Sequence, residues 1–176
     1  MSATGKRTFK IQVTESLAAG TNRSSAVSLT SQLSADQDWD SGAGTAETIN
    51  LVSFNELTIA PGSPSTAVTH DFDTMTTISG SAADFANLRG IYAHFDSGAA
   101  STVCIIGASG ADAFEDVIMG GTTPSVKLPL GGVFALDNPL GSAGWAVATN
   151  NDDLKFDCGT FATTNAVVQV IYVGNS

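Results

Sequence analysis

Four acidic residues in the N-terminal part of the chain are spaced like the ligands of a calcium loop. They are Asp36, Asp38, Asp40 and Glu47. Such a loop takes oxygen ligands from alternating side chains and from a bidentate Glu at its twelfth position. Its sixth position needs Gly for a sharp turn, but here it is Ser41, and no flanking helices are indicated. The spacing gives a calcium hypothesis for these four residues, and a solvated acidic loop without metal is the preferred interpretation.

A second acidic stretch, Asn150-Asn151-Asp152-Asp153, also offers oxygen atoms to a cation. The same residue types form turns between strands, because Asn and Asp side chains hydrogen-bond to nearby backbone. A turn is therefore the preferred interpretation, and no cofactor is expected.

The other reactive residues do not form a catalytic or transition-metal pattern. The two histidines, His70 and His94, lack the paired spacing of a zinc site. Cys104 and Cys158 are too far apart in sequence for a Cys-x-x-Cys motif, and we expect buried, reduced thiols, with a disulfide left open. Gly107-Ala108-Ser109-Gly110 lacks the Gly-x-Ser-x-Gly spacing of a nucleophile elbow. We expect no enzymatic activity.

Trp39 is the one aromatic residue that the sequence places in an exposed position, inside the acidic stretch. Trp145, Tyr92 and Tyr172 have positions typical of core or strand-end packing. Sugar-binding sandwiches stack pyranose rings on exposed aromatic side chains, because such rings combine an apolar face with a polar tip. A carbohydrate-binding module is therefore an alternative function.

The composition excludes some partners. The net charge is −10, which disfavours binding to nucleic acid or to an anionic membrane, because both attract Lys and Arg. Only 14% of the residues are charged, so much of the surface consists of short side chains with little conformational entropy to lose when a neighbour covers them. This favours an assembly component.

The few basic residues are concentrated near the N-terminus. Four of the seven are Lys6, Arg7, Lys10 and Arg23, and Glu15 is the single acid among the first 23 residues. We expect a basic arm that lies across an acidic neighbouring subunit, with these four residues at the interface. An ordinary first strand with solvated charges is the alternative.

Short runs rich in Val, Ile, Thr and Phe alternate with Gly, Pro, Ser, Asn and Asp clusters, which indicates many strands joined by turns. The predicted strands are Thr8 to Thr14, Ala26 to Leu33, Ile49 to Ala60, Thr66 to Phe72, Gly90 to Asp96, Thr102 to Ile106, Ser125 to Leu128, Gly132 to Leu136, Trp145 to Ala148, Leu154 to Cys158 and Ala166 to Val173. The run from Val167 to Val173 is apolar on both faces except at Gln169, which predicts a central strand. The predicted fold is all-β, a sandwich or jelly roll.

Three further structural expectations follow from the pattern. Ser81 to Leu88 is the best candidate for a short helix, capped by Ser81. Residues 1–48 form an extended arm and linker, with the loop-like part from Gly20 to Thr48, and residues 49–176 form the sandwich domain. The predicted core is Phe95, Val103, Ile105, Val133, Phe134, Leu136, Leu154, Phe156, Val168, Val170 and Tyr172.

From Phe54 to Gly174 the order of features resembles a class of small β-sandwich structural proteins of tailed bacteriophages. The shared pieces are Glu56 to Gly62 with its Pro-Gly turn, Phe85 to Phe95, the Val-Cys-Ile-Ile-Gly strand, Pro129 to Leu136, Ala143 to Val147, Asn151 to Phe156 and the terminal Val-Ile-Tyr-Val-Gly. Residues 1–48 lie outside the resemblance, which assigns no functional residues.

The resemblance implies a virion structural protein, such as a capsid decoration protein or another head- or tail-associated component. Its expected partners are copies of itself, as a homotrimer, and other virion proteins such as the major capsid protein. We expect synthesis in the cytoplasm of the host bacterium, because Met1 to Arg7 does not resemble a secretory signal. The alternative is a carbohydrate- or receptor-binding module of a tail appendage.

Overall fold

The computed structural model describes residues 5–17, 27–41, 48–61, 67–77, 80–99, 102–107, 112–121, 124–138, 144–159 and 164–176, with the backbone alone in the first two ranges. The strands are β1 (Gly5–Leu17), β2 (Val27–Ser41), β3 (Thr48–Ile49), β4 (Leu51–Ile59), β5 (Val68–Asp71), β6 (Met75–Thr76), β7 (Ala82–Ala83), β8 (Asn87–Ser97), β9 (Val103–Gly107), β10 (Ser125–Pro129), β11 (Val133–Asp137), β12 (Trp145–Ala146), β13 (Asp153–Asp157) and β14 (Ala166–Asn175). One short helix, α1 (Glu115–Met119), lies between β9 and β10. The all-β prediction is confirmed, and each predicted strand segment overlaps a strand.

The body of the protein, residues 40–176, contains two large antiparallel sheets and the short β6-β7 pair. One has the strand order β10-β9-β13-β5. The other has the order β11-β8-β14-β4, and β12 also pairs with β8. The prediction that Val167 to Val173 forms a central strand is confirmed, since β14 is hydrogen-bonded on both sides.

Both sheets contribute to one hydrophobic core, which gives the body a sandwich-like arrangement. In β13 burial alternates so that Leu154 and Phe156 face the core, as the period of a strand requires. The ring of Phe72 makes edge-on contacts with the rings of Phe85, Phe114 and Tyr172. Each fully buried large side chain contributes about 1.5–3 kcal/mol to folding. The largest are Tyr172, Phe72, Phe85, Phe95, Phe114, Phe156, Ile49, Ile59, Leu88, Ile91, Ile106 and Leu154.

The predicted core is correct in part. Phe95, Leu154, Phe156, Val168, Val170 and Tyr172 are buried, and Ile105, Phe134 and Leu136 are half-buried. Val103 and Val133 were assigned to the core wrongly, because they are 37% and 69% exposed. In β9 the side chains of Cys104 and Ile106 point to the core. The prediction had chosen Val103 and Ile105, the opposite face of the same strand.

The predicted helix from Ser81 to Leu88 is wrong. Ala82 and Ala83 form β7, which pairs with β6, and Asn87 already belongs to β8. Phe85 and Leu88 are both buried, but they reach the core from non-helical backbone. Tertiary pairing therefore overrides the local helical pattern. α1 was not predicted, and it is the one α-helix of the described residues; among them no helix is long and apolar enough to span a membrane.

Residues 4–39 form a second compact unit. Its two strands, β1 and β2, make a long antiparallel hairpin in which Lys6 lies opposite Asp38 and Ile11 opposite Leu33. β2 occupies about half of the loop-like stretch from Gly20 to Thr48, and it extends beyond the strand that was predicted from Ala26 to Leu33. The prediction ended at Leu33, because the following Asp-rich residues have low strand propensity, but pairing with β1 extends the strand. At the end of β2, Asp40 and Ser41 pair in parallel with β3.

Candidate functional site

An exposed apolar row crosses the outer face of the five-stranded sheet. Phe54 of β4 lies opposite Ile171 of β14, and Ile171 lies opposite Tyr92 of β8. Val133 of β11 lies opposite His94, the next outward residue of β8. We call Phe54, Ile171, Tyr92 and Val133 the outer row. Directly opposed residues share one face of a sheet, so these side chains form a continuous strip across four strands.

The outer row exposes large hydrophobic side chains that the core does not use. Phe54 is 47% exposed, Ile171 38% and Val133 69%. Together with Ala93, His94 and Gln169 they line a shallow depression of about 140 Å³. Single exposed apolar residues are ordinary, but a contiguous group on one face is characteristic of a contact surface.

The ring of Tyr92 is fixed in the outer row by its neighbours. A Cβ atom at Gly90 would lie 2.9 Å from ring carbon Cε2 of Tyr92, so the ring occupies the space that a side chain would need. The Tyr92 hydroxyl donates a hydrogen bond to Asp137 Oδ1 on β11. The aromatic surface is therefore held in a defined orientation, which lowers the entropy lost when a partner covers it.

Polar groups border the outer row. Gln169 Nε2 donates a hydrogen bond of 3.3 Å to Glu56 Oε2, and His94 Nδ1 lies 3.9 Å from Asp96 Oδ1. These groups are at the surface, where an ion pair contributes little to stability. An apolar centre with a polar border is the usual composition of a protein interface.

A separate cluster of carboxylates lies at one end of the four-stranded sheet. Asp71, Asp73 and Asp152 each have an oxygen within 4.8 Å of the others. Burial, followed by repulsion from Asp73, Asp71 and Asp112, raises the pKa of Asp152. Burial, followed by repulsion from Asp152 and other acids, raises the pKa of Asp153. Carboxylate oxygens of this kind can serve as calcium ligands.

The carboxylate cluster was missed because its members come from two distant segments. β5 pairs with β13 so that Asp71 lies opposite Asp153, which brings the end of one strand to the beginning of the other. The main-chain N–H of Phe72 donates to the carbonyl of Asp152 at 3.0 Å. The sequence signal was present in Asn150 to Asp153, which was considered as a source of oxygen ligands for a cation, but a turn was the preferred interpretation.

The predicted site residues lie in the N-terminal hairpin or outside the described residues. Asp36, Asp38 and Asp40 are in β2, in extended conformation, and Glu47 lies outside the described residues, so the calcium hypothesis for this set stays a prediction. Lys6, Arg7 and Lys10 are in β1, and Arg23 lies outside the described residues. Trp39 is also in β2, opposite Gly5.

His70 and Tyr172 form a hydrogen-bonded pair inside the body. Their Nδ1 and hydroxyl oxygen are 2.7 Å apart, and the His70 ring also packs against Phe156. Burial lowers the pKa of His70 to about 4 and raises that of Tyr172. At neutral pH the imidazole is therefore uncharged, and its hydrogen bond with the Tyr172 hydroxyl fixes the two side chains relative to each other.

Comparison with known proteins gives no identification: no family model, curated protein or solved structure matches this chain.

Proposed function

We propose that this chain is a non-enzymatic structural protein of a tailed bacteriophage particle, and that it assembles with copies of itself through the outer row. The observation that carries the proposal is the exposure of Phe54, Ile171 and Val133 on one sheet face. Covering these side chains removes apolar surface from water, at about 25 cal/mol per Å². The proposed location is the virion, and the expected assembly is a homotrimer that also contacts other virion proteins such as the major capsid protein.

A second copy of the chain is the proposed occupant of the outer row. The row is apolar at its centre, so two copies can meet there without burying unpaired carboxylates from the acidic surface. Homo-oligomers are the commonest assemblies of soluble proteins. The low content of charged residues supports the same conclusion, because few long charged side chains would have to be ordered or desolvated.

The N-terminal hairpin supplies a second contact in this proposal. A two-stranded hairpin is only marginally stable in water without a further surface. In the described part of the chain β1 pairs with β2 alone, so its other edge can add to a sheet of a neighbouring subunit. Lys6, Arg7 and Lys10 outnumber Glu15 in β1, so this strand carries a net positive charge that is complementary to an acidic neighbour, and Arg23 follows it in the sequence.

Sedimentation velocity on two matched variants tests the role of the outer row. Ile171→Lys places a charge in the row, and Val103→Lys makes the same substitution at a residue of similar exposure on the other sheet. We expect Ile171→Lys to weaken self-association by about 30-fold, equivalent to about 2 kcal/mol for a central interface residue. Val103→Lys should assemble like the unmodified chain.

Equal assembly of both variants would contradict the proposed interface. Circular dichroism on both proteins shows whether the fold is retained. If Ile171→Lys does not fold, the shorter change Phe54→Ser, at an even more exposed residue, is measured in the same way.

A charge-neutralised hairpin tests the second contact. Replacing Lys6, Arg7 and Lys10 by Gln should weaken assembly and reduce its sensitivity to salt, because screening acts on exposed charges. Lys127→Gln, an exposed basic residue of the body, is the control and should have no effect. If the triple variant assembles like the unmodified chain at low and high salt, the basic residues of the hairpin are not part of the interface.

Imaging of purified particles with and without this protein tests the proposed location. A density that disappears with the protein supports a virion component, and its position identifies head or tail. Particles that are identical in composition and appearance would contradict the proposal.

A further inference from the structure

Cys104 lies in β9, and Cys158 comes directly after the end of the neighbouring strand β13. β13 pairs with β9 so that Phe156 is opposite Ile106 and Asp157 is opposite Ile105. One step further along this antiparallel register, Cys158 is opposite Cys104. Both residues are free thiols on the core side of the sheet. Opposed residues of an antiparallel pair have Cα atoms about 4.5 or 5.5 Å apart, which is inside the range of about 4.4–6.8 Å that disulfides span.

The cysteine pair lies beside the pairing of β9 with β13, which is the shortest strand pairing of its sheet and which we call the seam. The ladder between β13 and β9 contains two residue pairs, whereas β13 and β5 share four and β10 and β9 share five. A covalent bond at the next position would extend this central seam. It would also close a loop of more than fifty residues between the two strands.

The two thiols are chemically different. A hydrogen bond between the two thiols raises the pKa of Cys104 and lowers that of Cys158, and the Cys104 thiol also lies 4.0 Å from the carbonyl oxygen of Ile105. Burial further raises the pKa of Cys104. Cys158 also comes directly after the end of β13, where fraying of the strand can expose it, whereas Cys104 is inside β9. The thiolate is the reactive form of cysteine, so Cys158 is the expected nucleophile.

We propose that Cys104 and Cys158 form an oxidisable dithiol, which a small-molecule disulfide converts to a cross-strand disulfide that joins β9 to β13. The proposal is independent of the assembly function. It rests on the register of the two strands, on the contact between the thiols and on the short seam that they extend.

The reaction proceeds by two thiol–disulfide exchanges. The Cys158 thiolate attacks one sulfur of the oxidant, forms a mixed disulfide and releases the other half of the oxidant as a thiolate. Cys104 then loses its proton, and its sulfur attacks the Cys158 sulfur and displaces the second half. The protein loses two protons and two electrons, and the oxidant disulfide takes them up and is reduced to two thiols.

Mass spectrometry of the full chain treated with oxidised glutathione tests the proposal. We expect the native protein to lose the mass of two hydrogens without retaining glutathione, and a peptide map to show Cys104 linked to Cys158. A reductant should restore the original mass. Hydrogen exchange should be slower in β9 and β13 of the oxidised form than of the reduced form. Two free thiols, two glutathione adducts or a disulfide between chains would each overturn the proposal.

Single variants test the assigned order of attack. Cys104→Ala should retain one glutathione at Cys158, because no second thiol is present to displace it. Cys158→Ala should be modified at Cys104 at least about tenfold more slowly, since Cys104 lies inside β9, where burial still raises the pKa of its thiol when Cys158 is absent. Equal or faster modification of Cys104 would overturn the assigned nucleophile. If a variant does not fold, the peptide map of the unmodified chain decides the proposal.

Discussion

Truncation of Phe156 to Ala should destabilise the body by about 3–5 kcal/mol. The side chain is 0% exposed in the middle of the core, and its ring centre lies 5.6 Å from that of His70. The loss combines the apolar surface that Ala cannot bury with the cavity that the neighbours leave behind. For a unit of the size of residues 40–176, unfolding entropy is about 2.1 cal/mol/K per residue, so the midpoint of thermal unfolding should fall by roughly 10–17 °C.

Val133→Ala is the matched control for this measurement. Val133 was also predicted to be a core residue, but it is 69% exposed, so its truncation should change stability by less than about 0.5 kcal/mol. Both variants are followed by urea and thermal unfolding with circular dichroism, at concentrations where the chain is monomeric, because assembly raises apparent stability. A loss below about 1 kcal/mol for Phe156→Ala, or equal losses for both, would refute the assignment of the strand faces.

Two predictions concern pH. Burial lowers the pKa of His70 to about 4, whereas in the unfolded chain it is about 6.5. As the pH falls below about 6.5, the unfolded chain therefore binds a proton that the folded chain does not bind. The free energy of unfolding should then decrease by up to about 3 kcal/mol between that pH and about 4. Urea unfolding of the unmodified chain and of His70→Gln measures this loss as the difference between the two. Parallel pH profiles would show that the pKa of His70 is the same in the folded and unfolded states, which would contradict the prediction. Asp152→Asn should raise the unfolding temperature at pH 7 in the presence of a chelator, because the raised pKa of Asp152 means that its charge is unfavourable in the folded state. The gain should disappear at a pH low enough to protonate Asp152 in both states, and a lower unfolding temperature at pH 7 would contradict the repulsion among these carboxylates.

The strands could be predicted because their signals are local. Apolar and polar residues alternate in segments such as Phe9 to Val13, and turn residues such as Gly131 and Gly132 separate the strands. Both signals depend only on neighbours in sequence. The doubly apolar run from Val167 to Val173 predicted the central position of β14 correctly. The face of β9 was assigned wrongly at Val103. The run from Val103 to Ile106 is apolar throughout, so its sequence does not show which alternate side chains point to the core.

The candidate sites could not be predicted because they depend on strand order. The outer row combines residues from β4, β8, β11 and β14, and nothing in the sequence shows that these strands are neighbours. The sequence did contain one indication of an apolar outer face. Ile171 is a large apolar residue on the side of β14 that faces away from the core. The carboxylate cluster and the cysteine pair likewise join segments that only the pairing of β13 with β5 and β9 brings together.

Hydroxyl-radical footprinting of the assembled and dissociated protein tests the proposed interface most directly. Phe54 and Tyr92 are aromatic residues of the outer row, and their oxidation can be compared with that of residues on the four-stranded sheet, such as Val103. We expect assembly to protect Phe54 and Tyr92 and to leave the oxidation of Val103 unchanged. If Phe54 and Tyr92 are oxidised equally in both states, the outer row is not the surface through which this chain assembles.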